Sequence, residues 1–235
     1  MILLSVESAS DQLGVALTDG DKLLASYELL ADRTHAIELP GAVERLLHSA
    51  GLSLDRLDAL AIDIGPGAFT GLRIGMAFVK ALAFALRKPV VAVPSLDVLA
   101  AGLPYAPHVR CPIVDAKQRK LYAARYEPQA AGAPLARRGD YLLGSVDEVI
   151  QLAGAGTGPV VFTGNGIPVY RAQLTDALGD RALFAEPAFW LPRAPVLAQL
   201  ARVRAAAGQH EDIRNLVPLY LHPMTCTVRQ PSVLS

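Results

Sequence analysis

The stretch Ile62-Asp63-Ile64-Gly65-Pro66-Gly67-Ala68-Phe69-Thr70-Gly71-Leu72-Arg73-Ile74-Gly75 decides how this chain is built. Residues 58–64 read as a buried strand, Gly-Pro-Gly as a tight turn, and residues 71–87 as a long apolar helix. Strand, glycine turn and helix in that order form the unit from which α/β proteins make phosphate cradles. The same unit also lets a helix approach another backbone closely. Spacing excludes the two common nucleotide fingerprints. A P-loop needs Lys and then Ser or Thr directly after its last glycine, whereas Gly71 is followed by Leu72 and Arg73. A dinucleotide fold needs glycine at the first, third and sixth places, and counted from Gly65 the sixth is Thr70.

The helix beyond the turn narrows the choice. Gly71 and Gly75 lie four apart and share a face, and each costs about 1 kcal/mol relative to Ala within a helix, so they imply a packing reason. Ile74, Met76, Phe78, Val79, Leu82 and Phe84 make the helix apolar nearly all round. Such a helix belongs either at the centre of the fold or under a second subunit.

Outward from this unit, strands are expected at residues 2–6, 13–18, 22–29, 89–93, 110–114, 120–126 and 159–163. Helices are expected at 36–50, from Ser95, at 145–153 and at 195–207, with Thr34 and Ser145 as N-caps. Residues 129–138 read as an exposed loop, 154–158 as a joint, and the proline-bearing tail as irregular. One internal symmetry stands out. Val6-Glu7-Ser8-Ala9-Ser10-Asp11-Gln12-Leu13 resembles Val114-Asp115-Ala116-Lys117-Gln118-Arg119-Lys120-Leu121: strand, carboxylate, polar turn, second strand. It predicts two related α/β lobes, residues 1–104 and 105–235, with mixed sheets. Duplicated lobes with acidic first turns resemble the two-lobed actin-like ATPase (ASKHA, ribonuclease H-like) architecture, whose hairpins embrace nucleotide phosphates.

Composition limits the function classes. With 235 residues, 52% of them hydrophobic, the chain buries a large core and has apolar surface to spare for a partner. No uninterrupted apolar run reaches the ~18 residues of a membrane span, and the nearest, 74–86, carries Lys80. The N-terminus has no basic region and enters a strand with Glu7, unlike a signal peptide. Cys111 and Cys226 are distant and lack metal or disulfide spacing, which points to a reduced, cytoplasmic setting. Lys plus Arg equals Asp plus Glu at 22 each, so the chain lacks the basic excess of a protein that grips nucleic acid alone.

The chemistry-bearing residues leave few options. Glu7, Asp11, Asp63 and Asp115 are carboxylates at strand ends or turns, positions that either ligate Mg²⁺ or cap turns. Glu7 carries one methylene more than the aspartate usual in such hairpins. Among His35, His48, His108, His210 and His222 no pair stands four apart, as a helical metal site needs. A lone histidine at a helix start, as His35 is, reads as a cap or surface group. Gly164-Asn165-Gly166 serves either as a close approach to a nucleotide base or as a plain turn. There is no Gly-x-Ser-x-Gly elbow.

The run from Gly65 to Gly75 resembles the signature of the bacterial TsaB (YeaZ) family. Residues 2–8, Pro89-Val90-Val91-Ala92-Val93-Pro94-Ser95-Leu96 and Phe162-Thr163-Gly164-Asn165-Gly166 match its context, and the likeness weakens from about Gln129 and in the tail. The resemblance implies the actin-like two-lobed fold and a part in making threonylcarbamoyladenosine at position 37 of tRNA. It implies a non-catalytic scaffold that binds and activates a TsaD-type catalytic subunit, with tRNA met only indirectly and a TsaE-type ATPase reached through the complex. A homodimer through similar surfaces is also implied. Aligning the strand at 89–93 places Ser95 and Leu99 where the catalytic relative has its metal histidines, so neither a catalytic residue, nor a metal, nor a cofactor is expected. The partner surface is expected at Gly67, Phe69, Gly71, Gly75, Met76 and Val79, rimmed by Arg73 and Lys80. On that reading Gly75→Leu abolishes complex formation and leaves the monomer folded. The alternative is a stand-alone small-molecule kinase or metallopeptidase-like hydrolase of the same superfamily.

Overall fold

The computed structural model describes residues 1–31, 34–103, 107–128 and 135–221. Two five-stranded mixed sheets organise the chain. In the first, β1 (Ile2–Glu7), β2 (Gln12–Asp19) and β3 (Lys22–Leu30) form an antiparallel meander. β4 (Ala59–Asp63) then adds in parallel to β1, and β5 (Val90–Val93) in parallel to β4. In the second, β6 (Val109–Lys117), β7 (Lys120–Glu127) and β8 (Ala136–Gly144) form the meander, while β9 (Val160–Thr163) and β10 (Ala182–Phe184) extend it in parallel. The strand orders, β3-β2-β1-β4-β5 and β8-β7-β6-β9-β10, are the same.

The helices repeat as well. α1 (His35–Ser49) and α4 (Val146–Gly154) follow the meanders. α2 (Phe69–Leu86) and α5 (Ile167–Leu178) connect the parallel strands, and α3 (Ser95–Ala101) and α6 (Ala194–Ala206) follow the last strands. The symmetry between residues 6–13 and 114–121 therefore extends to whole repeats. Parallel strands need a helical crossover, which is why α2 and α5 recur at the same place. The closing helices are exchanged: α3 packs on β6 and β7, and α6 on β1, β2 and β5.

Some elements depart from expectation. β8 begins at Ala136, so residues 136–138 are strand rather than loop, with Arg137 paired to Tyr126 and Arg138 to Arg125. Their side chains hid the strand, because an exposed edge has no apolar alternation. α5 and β10 were not foreseen. α5 starts at Ile167-Pro168 and buries only Ile167, Tyr170 and Leu174, while β10 has three residues. Ser145 caps α4 through a reciprocal capping box with Glu148. Thr34 precedes α1 but makes no cap bond, and its hydroxyl donates to Ala31 O. α2 is, among the described residues, the one helix long and apolar enough to cross a bilayer by length and composition. Here one stripe of it, with Met76, Val79 and Ala83, is buried in the core with Leu60, Ile62 and Val90.

Candidate functional site

The glycines of the opening motif face inward. A Cβ at Gly67 would fall on Ala9 O, one at Gly71 on Ser8 O, and one at Gly75 on Ser8 Oγ. The small residues thus let α2 lie directly against the β1–β2 turn, and Ala68 N donates to Ala9 O at 2.6 Å across the same contact. Met76 is 5% exposed and Val79 fully buried. The expected partner surface is therefore redistributed. Gly71, Gly75, Met76 and Val79 pack within the chain, because the inward stripe of α2 covers its own sheet, while Gly67 is half-buried at the edge of the interlobe cleft. Gly75→Leu would clash in the monomer.

Phe69, Arg73 and Lys80 lie outside that stripe. Phe69 is 54% exposed; the Arg73 guanidinium stacks 3.7 Å from its ring centroid, and Lys80 Nζ donates to Leu216 O at 3.1 Å. Phe84 of α2 is 78% exposed and Ile37 of α1 79% exposed. Between the helices runs a groove of about 750 Å³ lined by Val43, Leu47, Leu52, Phe78 and Leu82. Isolated exposed apolar residues are ordinary, whereas a contiguous apolar groove is not.

Between the lobes lies a cleft of about 350 Å³, bordered by both hairpin turns, the start of α2, Asn165, Trp190 and Tyr220. Asp11 and Asp115 line it, Asp11 exposed at the first hairpin turn, while Glu7 and Asp63 are buried behind it. Glu7 is buried, its Oε1 accepting Ala9 N at 2.8 Å. Asp115 accepts Lys117 N at 2.9 Å and Lys117 Nζ at 2.8 Å. Asp63, next to Glu7 on the adjacent parallel strand, accepts Ser95 Oγ at 2.6 Å and Gly65 N at 2.8 Å. Burial pushes the Asp63 carboxyl up to about 7 against those two hydrogen bonds. Burial, reinforced by Asp63, holds Glu7 well above the usual carboxylate range. Among the described residues no three His, Cys, Asp or Glu side chains converge on a metal position. Ser95 is spent on Asp63, and Leu99 is buried.

Other residues singled out have structural uses. His35 is buried rather than a cap, its Nε2 3.1 Å from Ser10 O. A Cβ at Gly164 would fall on Ile113 O, and Gly166 N donates to the same carbonyl, so Gly164-Asn165-Gly166 fits the second lobe beneath its hairpin. Burial pushes the Cys111 thiol up to about 12, which removes it as a nucleophile; Cys226 and His222 lie outside the described residues. Sequence reasoning missed Asp97. Its Oδ1 accepts Tyr126 OH at 2.6 Å and Tyr141 OH at 2.8 Å, and its Oδ2 accepts Arg204 at 2.5 Å, which joins α3, the second sheet and α6. Nothing local in the sequence marks it, since its three partners come from distant segments.

Two βββαβαβα repeats with exchanged closing helices and facing hairpins define a two-lobed α/β protein of the actin-like ATPase type. The family model described as "TsaD: tRNA N6-adenosine threonylcarbamoyltransferase" matches residues 29–224. The chain is similar to the "tRNA threonylcarbamoyladenosine biosynthesis protein TsaB" of Bacillus subtilis (strain 168), 28% identical over 232 residues and 94% of each chain. It is also similar to the tRNA N6-adenosine threonylcarbamoyltransferase of Sphingopyxis alaskensis, 31% identical over 48% of this chain and 37% of that one. The solved structure of YeaZ from Pseudomonas aeruginosa superposes with a TM-score of 0.78 at 27% identity, covering 94% of this chain and 99% of the other. The chain belongs to the TsaD family and, within it, to the TsaB (YeaZ) members.

Proposed function

We propose that this chain is a non-catalytic scaffold subunit in the formation of threonylcarbamoyladenosine at position 37 of tRNA, working in the cytoplasm. It binds and activates a TsaD-type catalytic subunit, while a TsaE-type ATPase joins through the complex and tRNA is met only indirectly. The first lobe, residues 1–104, carries the docking surface. The observation that carries this reading is the apolar outer face shared by α1 and α2. Phe78 and Leu82 of α2 face Val43 and Leu47 of α1 across a groove that no segment of the described chain fills, and Ile37 and Phe84 stand exposed elsewhere on the same two helices. Glu7, Asp63 and Asp115 are each engaged within the chain, and no three such side chains converge on a metal position among the described residues, which weighs against the kinase and hydrolase alternatives.

Titrating the chain with a purified TsaD-type subunit tests the reading. Saturable 1:1 association lost on Ile37→Arg is the expected result. Association unaffected by Ile37→Arg would move the surface elsewhere, and none at all would favour a homodimer on the same face.

A further inference from the structure

Residues 211–221 run from the first sheet across the cleft. Glu211 bridges the start of β5 at Val90, and Leu216 is buried in the core beneath α2. Leu219 N donates to Ile64 O at 2.8 Å, at the end of β4, and Leu221 packs on the cluster of α3 and the second sheet. Between these anchors Leu219 and Tyr220 line the cleft opposite Trp190. The segment is therefore a strap that crosses the cleft mouth and ties α2 to the lobe junction.

The anchors are unequal. At one end the buried Leu216, its carbonyl held by Lys80, and the Leu219 amide fix the strap firmly. At the other, Leu221 packs on the apolar cluster of α3 and the second sheet, and between the two ends Tyr220 is 37% exposed. It rests on Phe69 at 6.0 Å between ring centroids and takes only a long 3.4 Å bond from Arg73 Nε. Phe69 and Arg73 are also exposed residues of α2, on the flank that carries Lys80 and Phe84 rather than the one that lines the groove. A partner that draws the Arg73 guanidinium to a carboxylate of its own takes away the groups on which Tyr220 rests. Segments with few buried contacts open first.

We propose that the strap is a built-in gate of the interlobe cleft: docking on α2 at Phe69 and Arg73 releases Tyr220 and opens the cleft beside Trp190. The proposal rests on the scaffold reading for the identity of the docking partner, but the closure itself does not. It makes the cleft a site whose access depends on assembly, with α2 sensing the partner and the strap transmitting its presence.

Trp190 is the single tryptophan of the chain and lines the cleft, so 5-fluorotryptophan in the full chain reports on it alone by ¹⁹F NMR. In the free protein, Tyr220→Ala shifts the Trp190 resonance and raises its solvent isotope effect, whereas Tyr220→Phe, which keeps the ring, moves it less. Adding an unlabelled TsaD-type subunit moves the wild-type resonance toward the Tyr220→Ala position and leaves that of Tyr220→Ala nearly unchanged. A Trp190 signal indifferent to Tyr220→Ala overturns the gate. Partner binding that leaves the wild-type signal in place overturns the coupling while the scaffold reading stands. Absence of binding overturns both the scaffold reading and the coupling, with the closure judged separately by Tyr220→Ala.

Discussion

At the residue scale, the glycines show how far a sequence speaks. That Gly71 and Gly75 require a close neighbour follows from their helical spacing. That the neighbour is Ser8, not a partner, does not, since no local pattern joins two segments so far apart. Gly75→Leu should therefore cost the monomer about 1–3 kcal/mol through overpacking, read as a lower thermal midpoint; an unchanged midpoint would refute the internal contact. The buried acids give a second expectation. The folded state keeps on Asp63 a proton that the unfolded chain releases near pH 4, so ν_N exceeds ν_U from there up to about 7. Stability contributed by this group is full at low pH and is lost as pH rises through about 7. Asp63→Asn, which keeps an acceptor for Ser95 Oγ and Gly65 N, should flatten that slope in urea midpoints taken at about pH 5 and about pH 8. A slope equal to that of the wild type would mean another group titrates. Glu7 was legible as an unusual hairpin acid, but its inward turn was not, because orientation at a strand end depends on the neighbouring strand.

At the element scale, α2 carries two functions on two faces. Its inward stripe holds the first lobe together, and its outward side, with α1, forms the groove assigned to the partner. The sequence presented the helix as apolar all round and could not divide it, because periodicity marks a stripe only where polar residues bound it. Phe84→Arg should leave monomer stability within ~0.5 kcal/mol, as expected of an exposed position, while weakening association with a TsaD-type subunit by roughly tenfold or more. Equal affinities would remove Phe84 from the contact surface. β8 and α5 were illegible for a related reason: an edge strand and a helix with three buried residues leave little apolar pattern.

At the scale of the whole molecule, the two-lobed plan was legible from the hairpin symmetry, which the matching strand orders extend through every strand and helix. The lobe junction was not, because Asp97, Tyr126, Tyr141 and Arg204 meet only in the folded chain. Asp97→Ala strips two tyrosine hydroxyls of their acceptor and leaves Arg204 without its ion pair, and should cost about 2–3 kcal/mol. Hydrogen exchange should then quicken at α3 and along β7 and β8 together; quickening confined to α3 would show that the junction is held by its apolar cluster alone. The central claim is that the molecule serves as an obligatory scaffold. Its most direct measurement is threonylcarbamoyladenosine formed in a reconstituted tRNA-modification reaction, with and without this chain and with its Phe84→Arg variant. The account predicts modification with the wild-type chain, little without it, and little with the variant. Full modification in its absence would contradict the account.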